Sequence, residues 1–165
     1  MIIDNPDSVL TAALIREQYA LQQFRRLFQL TDLNYDEVVL TDEKQYLTEQ
    51  WTVKDYLSDI VFWHESFARN IADVGSSVKP NLIKLSLRAA TAYGVESNKN
   101  ETVSKLLRRL NKAQRVIETH IFNQNILTVP YRQGSRLYTK TEYLDIRTSE
   151  LNWHFWAIIR SALQK

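Results

Sequence analysis

The chain has 165 residues, 44% apolar and 24% charged, with 21 basic against 19 acidic side chains. That is the balance of one globular domain, taken as 1–165, long enough to bury a core without disulfides or a structural metal. The lack of cysteine excludes disulfide scaffolds, thiolate-ligated metals and thiolate nucleophiles, and the near-even charge lacks the footprint of a nucleic-acid binder.

Three Gly and three Pro are too few for a turn-rich β fold, so an all-α fold is expected. The first ten residues carry two Asp and no basic side chain, unlike a signal peptide. No apolar run approaches the ~18 residues that span a bilayer. Together these features point to a cytoplasmic protein with no membrane partner.

The first helix is expected over 7–30, with Asn5 as N-cap and Pro6 at the first helical position. Leu10 or Val9, Ala13 or Leu14, Leu21, Phe24, Leu27 and Phe28 give its apolar face. A polar stretch over 31–50, punctuated by Tyr35, Val38, Val39, Leu40, Tyr46 and Leu47, reads as a long ordered connection with room for a short helix. Thr52 and Asp55 have the spacing of a capping box. They open a second helix that runs to near Gly75, with a wide stripe of Val53, Tyr56, Leu57, Ile60, Trp63, His64, Phe67 and Ile71.

A short helix is expected within 80–93, then a loop over 94–100. A third long helix follows over 101–125, with Val103, Leu106, Leu107, Leu110, Ile117 and Ile121 as its core row. Residues 130–136 read as a loop. Thr139 and Glu142 form a second capping-box pair, opening a last helix to about Leu163. Four long helices with long connections after the first and between the second and third long helices make a four-helix bundle.

The chain has no HExxH, no Gly-rich phosphate loop and no G-x-S-x-G, so a site must be assembled between helices. Asp59 lies between Tyr56 and Trp63 on the second helix, at the border of its buried face or at its solvent margin. Glu150 and His154 are four residues apart and share a face of the last helix, as a metal-competent pair or a surface pair. His64 reads as a packed histidine and His120 as a surface one. Lys105, Arg108, Arg109, Lys112 and Arg115 form a basic stripe, read chiefly as a solvated face and otherwise as a phosphate-docking face. Tyr131, Arg132, Arg136 and Tyr138 form either an ordered loop or a pocket wall. Trp156, Ile159 and Leu163 offer an apolar contact for a homodimer.

Two segments carry a family resemblance. WTVKDYLSDIVFWHESF, residues 51–67, resembles the second-helix signature of DinB-like four-helix bundle proteins. PYRQGSRLY at 130–138, followed by EYL at 142–144, is similar to the segment before the last helix in the ClbS/DfsB branch. The resemblance implies a bundle with an inter-helix cleft. Many DinB-like proteins are metal- or thiol-dependent transferases that hold a divalent ion with one histidine from the second helix and two from the last. The matching positions here are Asp59, Glu150 and His154, so two of the three are carboxylates. Such a set leaves open both a divalent metal, as the one cofactor implied, and a metal-free site.

The ClbS-like branch, which also lacks the metal histidines, resembles a self-protection enzyme that opens an electrophilic cyclopropane by adding water. By that resemblance Asp59 or Glu150 is the general base, His154 supplies or orients the proton, and Tyr56, Trp63, Tyr131, Arg136 and Trp153 bind a small-molecule ligand. A hydrolase or transferase is therefore one expectation. A non-catalytic small-molecule binding or dimerisation module with a degenerate metal site is the other.

Overall fold

The computed structural model describes residues 6–30, 32–40 and 50–164. Among these, the elements are α1 (Pro6–Leu27), α2 (Val53–Gly75), α3 (Leu87–Ser97), α4 (Val103–His120), β1 (Thr128–Pro130), β2 (Leu137–Thr139) and α5 (Lys140–Leu163). The four long helices form an all-α bundle in which α2 packs chiefly on α4 and α1 on α5, with α3 laid against α2. None of the described helices is long and apolar enough to cross a membrane.

Both capping boxes form. The Thr52 hydroxyl accepts from the Asp55 N–H while the Asp55 carboxylate accepts from the Thr52 N–H, and Thr139 and Glu142 repeat the exchange at the start of α5. Each box satisfies amide groups that a helix start leaves without intrahelical partners. The first helix stops at Leu27, three residues short of expectation, because the amides of Phe28, Gln29 and Leu30 bond to carbonyls three residues back and tighten the chain into turns. Asn5, Tyr46 and Leu47 lie outside the described residues.

The described parts of the first connection are extended rather than helical. Val38 pairs antiparallel with Thr52, the Val39 N–H donates to the Trp51 carbonyl at 2.8 Å, and the Leu40 N–H donates to Ser161 Oγ at 2.8 Å. This strap fixes the backbone of Trp51 immediately before α2.

Two expectations need correction, and a third, the 130–136 loop, gains flanking strands. The short helix spans Leu87–Ser97, not 80–93, and the expected loop at 94–100 is partly helical. Ser86 caps it by accepting from the Ala89 N–H at 3.2 Å, and Gly94 sits inside it because a Cβ there would overlap the Phe62 ring. The glycine marks close helix packing, not a break. Helix α4 ends at His120, five residues early, where Asn123 bonds back to the His120 carbonyl and its side chain takes the Asn125 N–H. The 130–136 loop is the tip of a hairpin, with Thr128 opposite Thr139, Val129 opposite Tyr138 and Pro130 opposite Leu137. Gly134 supplies the positive φ, 84°, that its turn requires.

The core has two apolar parts. Phe24, Leu57, Ile60, Leu106, Leu110, Leu151 and Ile158 fill one end. Phe67, Ile71, Ile117, Ile121, Val129, Tyr143 and Leu144 fill the other. Along each long helix, one buried polar residue falls between the two: Glu17, His64, Gln114 and Arg147. The bundle thus carries a polar layer at its middle.

Candidate functional site

Asp59 lies on the buried face of α2 and His154 on the facing side of α5, each 4% exposed. Their side chains meet, with His154 Nε2 2.6 Å from Asp59 Oδ2, a contact that requires a proton between the two atoms. Glu150, one helical turn before His154, places Oε2 3.9 Å from the same nitrogen and is half exposed. One donor atom from each of the three residues falls within 4.8 Å of the others. The expectation that Asp59 borders the buried face holds, and Glu150 and His154 converge on it rather than forming a surface pair.

Aromatic edges hold the imidazole. Its ring meets Tyr56 at 4.9 Å and 85°, and Trp51 at 6.2 Å and 87°. Asp59 Oδ1 and His154 Nδ1 are buried with no hydrogen-bond partner among the described residues. Buried polar atoms are normally satisfied, and exceptions of this kind concentrate at functional sites.

The three side chains form one wall of a cavity of about 700 Å³, the size of a small-molecule site. Helices α2, α3 and α5 and the hairpin enclose it, with Trp51, Trp63, Tyr131, Tyr138 and Trp153 as aromatic wall and Arg88 and Arg132 as its cations. The wall is pre-organised. Trp63 stacks on Tyr131 at 5.2 Å and 23°, and its Nε1–H donates to Thr91 Oγ1 at 3.1 Å. Tyr131 leans on Tyr143, which stacks on Phe67 at 3.8 Å. Burial pushes the Tyr131 phenol up to about 12, with Glu150 and Asp59 adding to the shift, so it stays a protonated donor beside the acids.

Of the sequence-derived ligand residues, Trp63, Tyr131 and Trp153 line the cavity. Tyr56 is 1% exposed and stands behind Trp51 and His154, supporting the site without reaching the cavity. Arg136 points elsewhere, donating to Glu142 at 2.6 Å and covering the Tyr138 ring. Sequence reasoning missed Trp51, which precedes its helix and so shows in no periodic pattern, and missed Arg88 and Thr91 because α3 was placed out of register. It read Arg132 and Tyr138 as either an ordered loop or a pocket wall, and both line the cavity.

The other candidates fall away from this cavity. His64 is fully buried, as a packed histidine, and donates from Nε2 to Gln114 Oε1 at 2.6 Å. His120 is half-buried rather than on the surface, close enough to Gly75 that a Cβ there would come within 2.9 Å of its Nδ1. The basic stripe is solvated at Lys105, Arg108, Lys112 and Arg115, whereas Arg109 is clamped on Glu65 by two hydrogen bonds. Trp156 and Leu163 are exposed on α5 and Ile159 is half-buried.

The donor set is chemically suited to a divalent cation: two carboxylates and one imidazole from two facing helices, within one ion's reach. An ion bound there takes the place of the Asp59–His154 hydrogen bond. Nδ1 of His154, the nitrogen that would orient a metal-bound imidazole through an acceptor, has no such partner among the described residues.

No protein-family model matches the sequence, and no curated protein is similar to it. Among solved structures, the crystal structure of a mycothiol-dependent maleylpyruvate isomerase is similar, with a TM-score of 0.68 at 14% identity over 90% of this chain. The chain spans 60% of the length of that enzyme. The likeness shows the fold, an all-α helical bundle.

Proposed function

We propose that the chain is a small-molecule enzyme that uses Asp59, Glu150 and His154 for acid–base chemistry on an electrophile held in the aromatic cavity. The carrying observation is the convergence of these three side chains on one wall of that cavity. Glu150 is the accessible carboxylate and takes the proton of a water beside it. The water oxygen bonds to the electrophilic carbon while that carbon's bond to its leaving atom breaks, and the leaving atom keeps the electron pair and is protonated. Tyr131, which lines the same cavity as Glu150, is assigned to donate that proton and recover one from Glu150. The Asp59–His154 pair fixes the imidazole one turn from Glu150 and orients it toward the reacting water.

When bound, a divalent ion would be held by Asp59, Glu150 and His154 and would supply Lewis-acid polarisation and a more acidic water. The ClbS/DfsB resemblance of the 51–67 and 130–138 segments favours ring opening of a cyclopropane by water, a self-protection chemistry, as the specific reaction. The likeness to a mycothiol-dependent maleylpyruvate isomerase supports the coarser reading, an enzyme that acts on a small molecule.

The test combines product analysis with metal content. Untagged protein is incubated with an activated cyclopropyl ketone, and hydrated product is sought by mass spectrometry. Product formation lost in Glu150→Gln and Asp59→Asn supports the proposal. Unchanged turnover in both variants overturns the residue assignment. Probe binding without product favours the binding module instead. Near-stoichiometric metal in native protein that is lost in Asp59→Ala and His154→Ala assigns the triad to a cation.

A further inference from the structure

The cavity is electrically lopsided. Its α2 and α5 side carries Asp59 and Glu150, whereas its α3 and hairpin side carries Arg88 and Arg132. Arg132 is the informative one, because its backbone is pinned and its head is not. The Arg132 N–H donates to Ser135 Oγ at 3.2 Å, the Ser135 hydroxyl donates back to the Arg132 carbonyl at 2.9 Å, and the neighbouring Gln133 N–H donates to the Ile83 carbonyl at 2.9 Å. The hairpin tip is thereby tied to the chain that leads into α3. The Arg132 guanidinium itself has no hydrogen bond or ion pair to any described residue. By contrast, Arg136, four residues on, is committed to Glu142.

A guanidinium held at a half-buried position in an aromatic wall is partly desolvated and presents a planar fork of donors. The group that completes it is a carboxylate or a comparable oxyanion. The acids on the far wall repel the same group, so the cavity sets the direction of its ligand. The stacked Trp63 and Tyr131 rings suit a flat apolar body between the two ends.

We propose that the substrate class is a small organic acid with a planar apolar body, its carboxylate on Arg132 with Arg88 beside it and its reactive end toward Glu150. This rests on the cavity being the working site, but not on the chemistry assigned to it. Charge at one end and reaction at the other make Arg132 the residue that selects and orients, while the acids act.

Naphthalene-2-carboxylate and its neutral amide differ in little but charge, and their affinities for the native protein can be compared by titration calorimetry. The carboxylate is expected to bind about tenfold or more tightly than the amide, and the gap is expected to narrow with added salt. Arg132→Gln should remove the gap by weakening the carboxylate alone, with the amide within twofold of its native affinity. Arg132→Lys should restore part of the gap, and Glu150→Gln should keep or widen it. Equal affinities in native protein, no binding of either probe, or a gap that survives Arg132→Gln overturns the inference. A charge preference in protein that hydrates no electrophile leaves this inference standing and removes the proposed reaction; turnover without charge preference does the reverse.

Discussion

His64 and His154 both make 2.6 Å contacts with an oxygen on a facing helix, yet they sit in opposite settings. Around His64 the side chains tie to one another, with Glu17 Oε1 and Arg147 Nη1 the two buried atoms left without a partner among the described residues. Nε2–H donates to Gln114, Arg147 Nε–H donates to Nδ1 at 3.4 Å, and Gln114 in turn donates to Glu17 at 2.8 Å. One side chain from each long helix takes part, between two apolar clusters, and only Gln114 reaches a shallow polar groove between α1 and α4. Around His154 the contacts stay open. A second carboxylate stands 3.9 Å away and faces a cavity, and two polar atoms lack partners. Pairing across helices is therefore common to both. Unpartnered polar atoms are common to both as well, and what separates a tie from a site is the aromatic cavity that Asp59, Glu150 and His154 face.

The largest expected effect comes from breaking the closed cluster. Arg147 is fully buried, and besides His64 its Nη2 donates to the Ile60 carbonyl at 3.3 Å. Arg147→Met keeps most of the stem volume and removes the cation, leaving the Ile60 carbonyl and His64 Nδ1 without their donor. A loss of about 3–5 kcal/mol is expected by urea unfolding. A loss below about 1 kcal/mol would mean that the layer contributes no more than apolar packing would, as replaced buried ion pairs sometimes do.

The next effect reads the same cluster through pH. Burial pushes Glu17 up to about 7 and, with the Arg147 charge behind it, His64 down to about 3. The groups facing them are Arg147 from α5, and Gln114 and Glu118 from α4. Glu17, raised from 4.5, contributes stability that is complete below 4.5 and lost as pH rises through 7. His64, lowered from 6.5, contributes stability that is complete above 6.5 and lost as pH falls through 3. Between 4.5 and 6.5 the two slopes oppose each other. Glu17→Gln retains an acceptor for Gln114 and removes one slope. Relative to native protein, the variant should gain stability from pH 4.5 to 7 by about 1.4 kcal/mol per pH unit, with no further change outside that window. A pH-independent difference would show that Glu17 stays ionised in the fold.

The two regions were unequally legible in the sequence. The stripes of α2 and α5 and both capping boxes are local patterns, so the long helices and their starts could be read directly. Asp59, Glu150 and His154 stood out as ionisable residues at the edge of apolar stripes. The closed layer was nearly invisible, because Glu17, Gln114 and Arg147 are ordinary helix-surface residues by type and only packing makes them internal. The cavity's hairpin side was offered as one of two readings, whereas its α3 side and the strands themselves were hidden for other reasons. Gly94 reads as a breaker until Phe62 is seen beside it, and strands of three residues are too short to show alternation. The DinB-like resemblance carried the fold correctly, but its histidine positions spoke only for the acidic side of the cavity.

The smallest expected effect is on the open cluster, and its smallness is the point. Glu150 makes no hydrogen bond to His154 at 3.9 Å, its side chain is half exposed, and it adds a second carboxylate near Asp59. Glu150→Gln should therefore shift unfolding stability by no more than about 0.5 kcal/mol, toward higher stability, since it removes like-charge repulsion. The same change is expected to abolish turnover. Chemical denaturation and product formation on one preparation read both quantities. A side chain that costs the fold nothing to lose, while the reaction depends on it, is held there by function. A loss above about 1 kcal/mol would instead make Glu150 a structural partner of His154, and the open cluster would become a second tie.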